Sequence, residues 1–191
     1  MRRTMLVPAV FTVLSLVVPV AAQAPSGASA PKREGVIGDL LVDIGQVEKK
    51  IMGLAQAIPA SAWAWRPGAG VRSVEEVFKH IAADNYFLPV AVGIAAPAET
   101  GITKEYDTVT AFEKKAMNRE AILSEVEKSF AFLKSSMTGM PDDKLNTPVN
   151  LFGLKTTNRG LWIMTTTHLH EHLGQLIAYA RSNNVTPPWS K

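Results

Sequence analysis

Cysteine is absent from all 191 residues. That excludes a disulfide framework, a lipidated cysteine and a thiol nucleophile supplied by the chain itself. Long apolar runs are scarce as well: Met5 to Val20 forms one near the N-terminus, and no second follows, so nothing beyond it reads as a membrane span. Charge of one sign is also lacking. The formal net charge of +3 falls to +1 once Arg2 and Arg3 are set aside, and no basic stripe runs along a helix. This argues against nucleic acid or an acidic membrane surface as a partner. Finally, there is no internal repeat and no convincing alternation of apolar and polar residues, the mark of a half-buried strand.

The first residues read as an address. Arg2 and Arg3 supply a positive start, the apolar stretch interrupted by Pro8 and Pro19 is short for a membrane span, and Val20-Ala21-Ala22 offers small residues for a signal peptidase. A signal peptide over residues 1–22 is expected, cut after Ala22 because a cut after Ala24 would leave Pro25 on the far side. The mature chain is then expected in the periplasm or outside the cell. Ala24 to about Lys32 is Ala, Ser, Gly and Pro, too poor in large side chains to bury anything, so residues 23–34 read as a flexible leader. Residues 35–191 have the length of one domain with a proper core.

Apolar residues at Ile37, Leu40, Leu41, Ile44, Val47, Ile51, Leu54 and Ile58 step by three and four, predicting a helix over Val36–Ile58 that Pro59 ends. Pro59 to Arg72 reads as a loop, with Trp63 and Trp65 as packing residues at a bundle end. Its Gly68-Ala69-Gly70 is no dinucleotide loop, because no strand precedes it and no third glycine follows. Ser73-Val74-Glu75-Glu76 is a capping box that starts a second helix, and Pro89 kinks or ends it. Ala95 to Thr110 reads as irregular. Asn118 caps a third long helix that Gly139 and Pro141 stop, another irregular stretch runs to about Thr156, and a last helix spans about Asn158 to Asn183. Four long amphipathic helices predict an all-α four-helix bundle.

Three of the four histidines fall within Thr167-His168-Leu169-His170-Glu171-His172. On a helix, His168 and His172 share a face while His170 points away. That face continues through Leu161, Thr165, Leu176 and Tyr179, a stripe that should be core. Two imidazoles there need a shared partner, and a metal ion is the commonest one; the alternative is a chance pair on an exposed face. His80 lies at the edge of the second helix's apolar face, as a boundary histidine or as a third ligand reaching a neighbouring helix. Three neutral imidazoles around one ion leave positions open for water or substrate, the arrangement of a reactive site. Their softness permits zinc, nickel, iron or copper. His170 and Glu171 read as surface residues, Gln175 as a helix-facing amide or an orienting partner, and Asp84 as an orienting or solvated carboxylate.

Trp65-Arg66-Pro67-Gly68, Arg72-Ser73-Val74-Glu75-Glu76 and His80-Ile81 resemble the first signature of the DinB/YfiT-like superfamily. His168, Glu171-His172-Leu173-Gly174-Gln175-Leu176, Arg181 and Pro187-Pro188 resemble its second. The similarity extends from about Gly35 to Trp189. It implies a four-helix bundle with an up-down-down-up course and puts the family's metal ligands at His80, His168 and His172. It also implies metal-dependent transfer with low-molecular-weight thiols, or related isomerase or hydrolase chemistry.

Three readings of function follow. In the first, a metal-dependent transferase or hydrolase activates water or a thiol on a divalent ion held by His80, His168 and His172, acting on a small-molecule substrate. No histidine is left over as a base, so Glu76, Asp84 or a hydroxide on the ion would carry protons. In the second, the same ligands serve a non-catalytic module that binds a metal or small molecule. In the third, the bundle is purely structural. Homodimerisation through bundle faces is compatible with each.

Overall fold

The computed structural model describes residues 33–190, so the signal peptide expected over residues 1–22 and most of the leader expected over 23–34 lie outside the described residues. Four long helices form the body: α1 (Gly35–Ala57), α2 (Val74–Ala91), α4 (Arg119–Gly139) and α5 (Asn158–Ser182). A short helix α3 (Tyr106–Glu113) and a hairpin of β1 (Pro148–Leu151) and β2 (Leu154–Thr157) complete the structure. No described helix is long and apolar enough to cross a membrane.

The periodicity of α1 buries what it should: Ile37, Ile44, Val47, Ile51 and Leu54 are all in the core, and Ile58 follows them just past the helix. α2 starts on the expected box, in which the Ser73 hydroxyl accepts the Glu76 amide at 3.3 Å and the Glu76 carboxylate accepts the Ser73 amide at 2.7 Å. Pro89 does not stop α2, which runs on to Ala91. α4 is capped by Asn118, whose side chain accepts the Ala121 amide at 2.9 Å.

The course of the chain follows from which ends meet. Asp43 contacts His170 midway along α1 and α5, and two turns later Lys50 lies over Trp189 beyond the end of α5, so these helices are parallel. Arg119, opening α4, donates to the Ala55 carbonyl near the end of α1, whereas Arg33, before α1, reaches the Thr138 carbonyl near the end of α4. They are antiparallel. Arg72, before α2, meets Tyr179 late in α5, while Asp84 further along α2 meets the earlier His168, so this pair is antiparallel too. The result is the up-down-down-up order. α1 packs on α5 and α4, and α2 on the same two helices. A buried polar pin sets the α2–α4 register: Asn85 donates to the Ser129 hydroxyl at 3.1 Å, which donates to the Val126 carbonyl at 2.7 Å.

Two expectations of irregular chain are corrected. Within Ala95 to Thr110 there is a 3-10 turn, Ala98–Thr100, and the start of α3, a two-turn helix that buries Val109 and Phe112 on one side. Two turns are too few for a periodicity to show. The stretch before Thr156 contains the hairpin, paired from Pro148↔Thr157 to Leu151↔Leu154. Its strands are four residues each, with only Val149 and Leu151 of β1 turned partly inward, too short an alternation to stand out. Thr157 then caps α5 by accepting the Gly160 amide at 3.2 Å. A Cβ on Gly160 would lie 2.1 Å from Thr156 Oγ1, so hairpin and helix approach closely here and a larger residue would force the threonine side chain to turn away.

The cap on α2 fixes the first turn of the helix that carries His80. Ser73→Ala is expected to cost about 1 kcal/mol in urea denaturation, with an unchanged m-value. A cost near zero would show that the box is ornamental.

Candidate metal centre

α2 and α5 face each other with paired side chains at helical spacing: His80 and Asp84 on one, His168 and His172 on the other. The row that His168 and His172 interrupt is core as expected, with Leu161, Thr165, Leu176 and Tyr179 buried. His80 is buried and the other two imidazoles are half-buried. A ring nitrogen from each of the three lies within 4.8 Å of the others, a grouping that can hold a metal ion.

Hydrogen bonds fix which nitrogens face inward. Gln175 donates through its amide nitrogen to the Tyr179 oxygen at 2.9 Å, so its amide oxygen accepts from His172 Nδ1, also at 2.9 Å. His172 therefore carries its proton on Nδ1 and leaves Nε2 bare. That Nε2 stands 3.0 Å from His168 Nε2. On the other wall, His80 Nδ1 lies 2.6 Å from Glu113 Oε1 and donates to it, so its Nε2 is the nitrogen turned towards the site. Carboxylates and amides behind imidazoles set tautomer and ring orientation at metal sites, the role that these partners are placed to fill.

Arg72 closes both relays. Its guanidinium lies 3.3 Å from Glu113 Oε2, and its backbone carbonyl accepts the Tyr179 hydroxyl at 3.1 Å. Trp65 packs edge-on against the Tyr179 ring at 5.2 Å, holding that phenol in place. Trp63, stacked on Phe78 at 5.1 Å, closes the bundle end as expected.

The electrostatics favour neutral imidazoles at His168 and His172. Burial, with smaller contributions from His172, His80 and Arg72, pushes His168 down to about 3. Burial also lowers His172, helped by His80 and Arg72 and opposed by its bond to Gln175. Burial would raise Glu113, but the His80 hydrogen bond and Arg72 outweigh it and hold the carboxyl below its usual value. Asp84 is different: burial raises it to about 6 in spite of the neighbouring His80. Its Oδ2 lies 3.2 Å from His168 Nε2 and 3.5 Å from His80 Nε2.

Asp84 thus belongs to the site. Gln175 orients His172, and His170 faces outward, where it meets Asp43 at 2.8 Å. Glu76 is not free to carry protons, since it accepts the Ser73 amide and pairs with Arg66 at 3.0 Å. Glu113 was missed; it closes the α3 helix that the sequence pattern failed to reveal. The only hint was a carboxylate directly after the Val109 and Phe112 pair.

A cavity of about 180 Å³ opens beside Asp84 and His168. A second, of about 280 Å³, lies on the Glu113 side between Arg66, Arg72 and Lys114. A groove of about 720 Å³ between α1 and Trp189 has no histidine or carboxylate in its lining and is remote from this chemistry.

A family model described as the DinB superfamily matches residues 44–176. No curated protein matches the chain. Among solved structures, a DinB-like protein of Bacillus cereus aligns at 17% identity and a TM-score of 0.61, over 82% of this chain and 97% of that one. YfiT of Bacillus subtilis, described as a probable metal-dependent hydrolase with an unusual four-helix bundle topology, aligns at 14% identity and a TM-score of 0.63, over 85% and 97%. A mycothiol-dependent maleylpyruvate isomerase aligns at 13% identity and a TM-score of 0.58, over 73% of this chain and 60% of its own. At such identities the likeness is one of fold.

The two perturbed groups push stability in opposite directions in the metal-free protein. His168, lowered to about 3, contributes stability above its unfolded value that is lost as pH falls below it; Asp84, raised to about 6, destabilises as pH rises through that value. Asp84→Asn should therefore raise stability by about 2 kcal/mol at about pH 8, with the gain vanishing towards about pH 4. Denaturation of the metal-free protein across that range tests this. A gain independent of pH would show that the buried carboxylate is not the cause.

Proposed function

The chain belongs to the DinB superfamily, and on that footing we propose that it is an exported, metal-dependent enzyme, a transferase or hydrolase, with His80, His168 and His172 as ligands of one divalent ion. The observation that carries this reading is the convergence of three imidazole nitrogens, all within 4.8 Å of one another. His80 and His172 each commit Nδ1 outward, to Glu113 and Gln175, and His168 is held neutral between them. The donors are borderline-soft nitrogens, which suits zinc, nickel or iron.

When bound, such an ion supplies Lewis acidity that makes a water or a thiol nucleophilic near neutral pH. The chain's own contribution is orientation and proton handling. Glu113 and Gln175 hold two rings by their Nδ1–H groups, and Arg72 holds Glu113 directly and Gln175 through Tyr179. Asp84 Oδ2, whose described partners are only the imidazoles, is the oxygen placed to accept a proton from a substrate group entering beside His168. A thiol co-substrate would come from outside, since the chain has no cysteine.

Protein purified without a histidine tag should contain roughly one divalent ion per chain by elemental analysis, and His172→Ala should abolish stoichiometric uptake. Full uptake by that variant would remove the site. Hydrolysis and thiol-transfer panels should show an activity that chelation abolishes and the ion restores. Export is checked separately: N-terminal sequencing of protein from the periplasm or medium should begin at Gln23, and an intact Met1 in the cytosol would refute it.

A further inference from the structure

The cavity beside Asp84 and His168 has a composition unlike the rest of the site. Its remaining walls are Phe87, Leu88, Tyr106, Leu151, Phe152 and Met164, so two polar side chains sit at the edge of an otherwise apolar and aromatic chamber. Its size is informative. An apolar cavity of about 150 Å³ is enough to hold benzene, and this one, at about 180 Å³, has room for such a ring with a small substituent.

The residue at its mouth is held at a conformational cost. β1 and β2 are joined by only Phe152 and Gly153, with φ +51° and +90°. Positive φ at both positions is the type I′ hairpin turn, which favours Asn-Gly. A bulky aromatic at the first position is an outlier, and such outliers cluster at ligand clamps and active sites. Phe152 is nonetheless 67% exposed. Its ring lies parallel to Phe87, at 5.8 Å and 7°, and meets Tyr106 edge-on at 5.6 Å. An exposed apolar ring in a strained turn, set against two other aromatics over a cavity that reaches the histidine centre, has no evident packing purpose.

We propose that this cavity is the substrate subsite of the centre and takes an apolar, ring-sized group such as a phenyl ring, with the reactive substituent directed at His168 and Asp84. The inference rests on the metal-dependent reading above and supplies its substrate class. Phe87, Tyr106 and Phe152 grip the ring by stacking and edge contacts, which need no hydrogen-bond pairing. The polar demand falls on the substituent alone.

Benzyl alcohol, with glycerol as a polar control, tests this on the ion-loaded protein by methyl NMR of Met164. Benzyl alcohol should shift the Met164 signal saturably and glycerol should not. Phe152→Asn, which tolerates the positive φ but removes the ring, should weaken benzyl alcohol about fivefold or more while leaving ion uptake unchanged. His172→Ala should lose the ion and keep the probe. An unmoved Met164, equal affinity in Phe152→Asn, or shifts confined to the groove at Trp189 would overturn the subsite. Failure of the wild-type protein to take up an ion would instead overturn the metal-dependent reading, so the two are separable.

Discussion

The placement of the histidines depends on Arg72, which immediately precedes the N-cap of α2. One end of it holds Glu113, which holds His80; the other holds Tyr179, which holds Gln175 and so His172. The two walls of the site come from helices far apart in sequence and running in opposite directions, and neither helix alone dictates the rotamers of its imidazoles. A single residue tied to both through charge and backbone removes that freedom. Its neighbour Ser73 is the N-cap of α2, so the cap that starts the helix and the anchor that orients the rings are consecutive. Local helix chemistry and site geometry are coupled here by covalent adjacency rather than by packing.

Such a site is expensive in a small bundle. Three imidazoles, two carboxylates and an amide occupy positions that apolar residues would otherwise fill, and each must find partners or lose stability. The bundle meets most of this demand with relays that end at the protein's own backbone or at Arg72. Asp84 is the exception. Its carboxylate is half-buried without lysine or arginine in contact and stands against two ring nitrogens, the environment that drives its carboxyl upward. In a bundle selected for stability alone, that position would be apolar. Keeping it ionisable makes sense where a cation or a moving proton is to be accommodated.

Long-range order was legible wherever one physical signal repeated along a helix. Ile37 to Ile58 declared α1, Ser73 and Glu76 declared the start of α2, and the spacing of His168 and His172 declared a shared inward face that excluded His170. Two features escaped because they are short. α3 shows only Val109 and Phe112 as its inward pair, and the four-residue strands of the hairpin alternate too briefly to be seen. Glu113 was lost with α3, although it orients His80. The pairing of His170 with Asp43 was hidden for another reason: it joins α1 to α5, and no local pattern encodes which helices become neighbours. What sequence reading loses is therefore the short connecting elements, and those carry the orienting partners and the cavity walls.

This division bears on how the family fold diversifies. The long helices hold the imidazoles and tolerate little change, since any slip in the α2–α5 register would part His80 from His168 and His172. Apart from Glu113, which holds His80, the α3 segment and the hairpin touch the centre from outside and can vary without moving it. In this chain they contribute Tyr106, Leu151 and Phe152, an apolar mouth whose most exposed ring sits in a backbone conformation that phenylalanine disfavours. Asparagine or glycine would relieve that strain at no cost to the bundle core, because Phe152 is not part of it. Retaining the phenylalanine gives up stability at a point where the surface opens onto His168. The same trade is made at Asp84, across the cavity, and both losses fall on the same chamber.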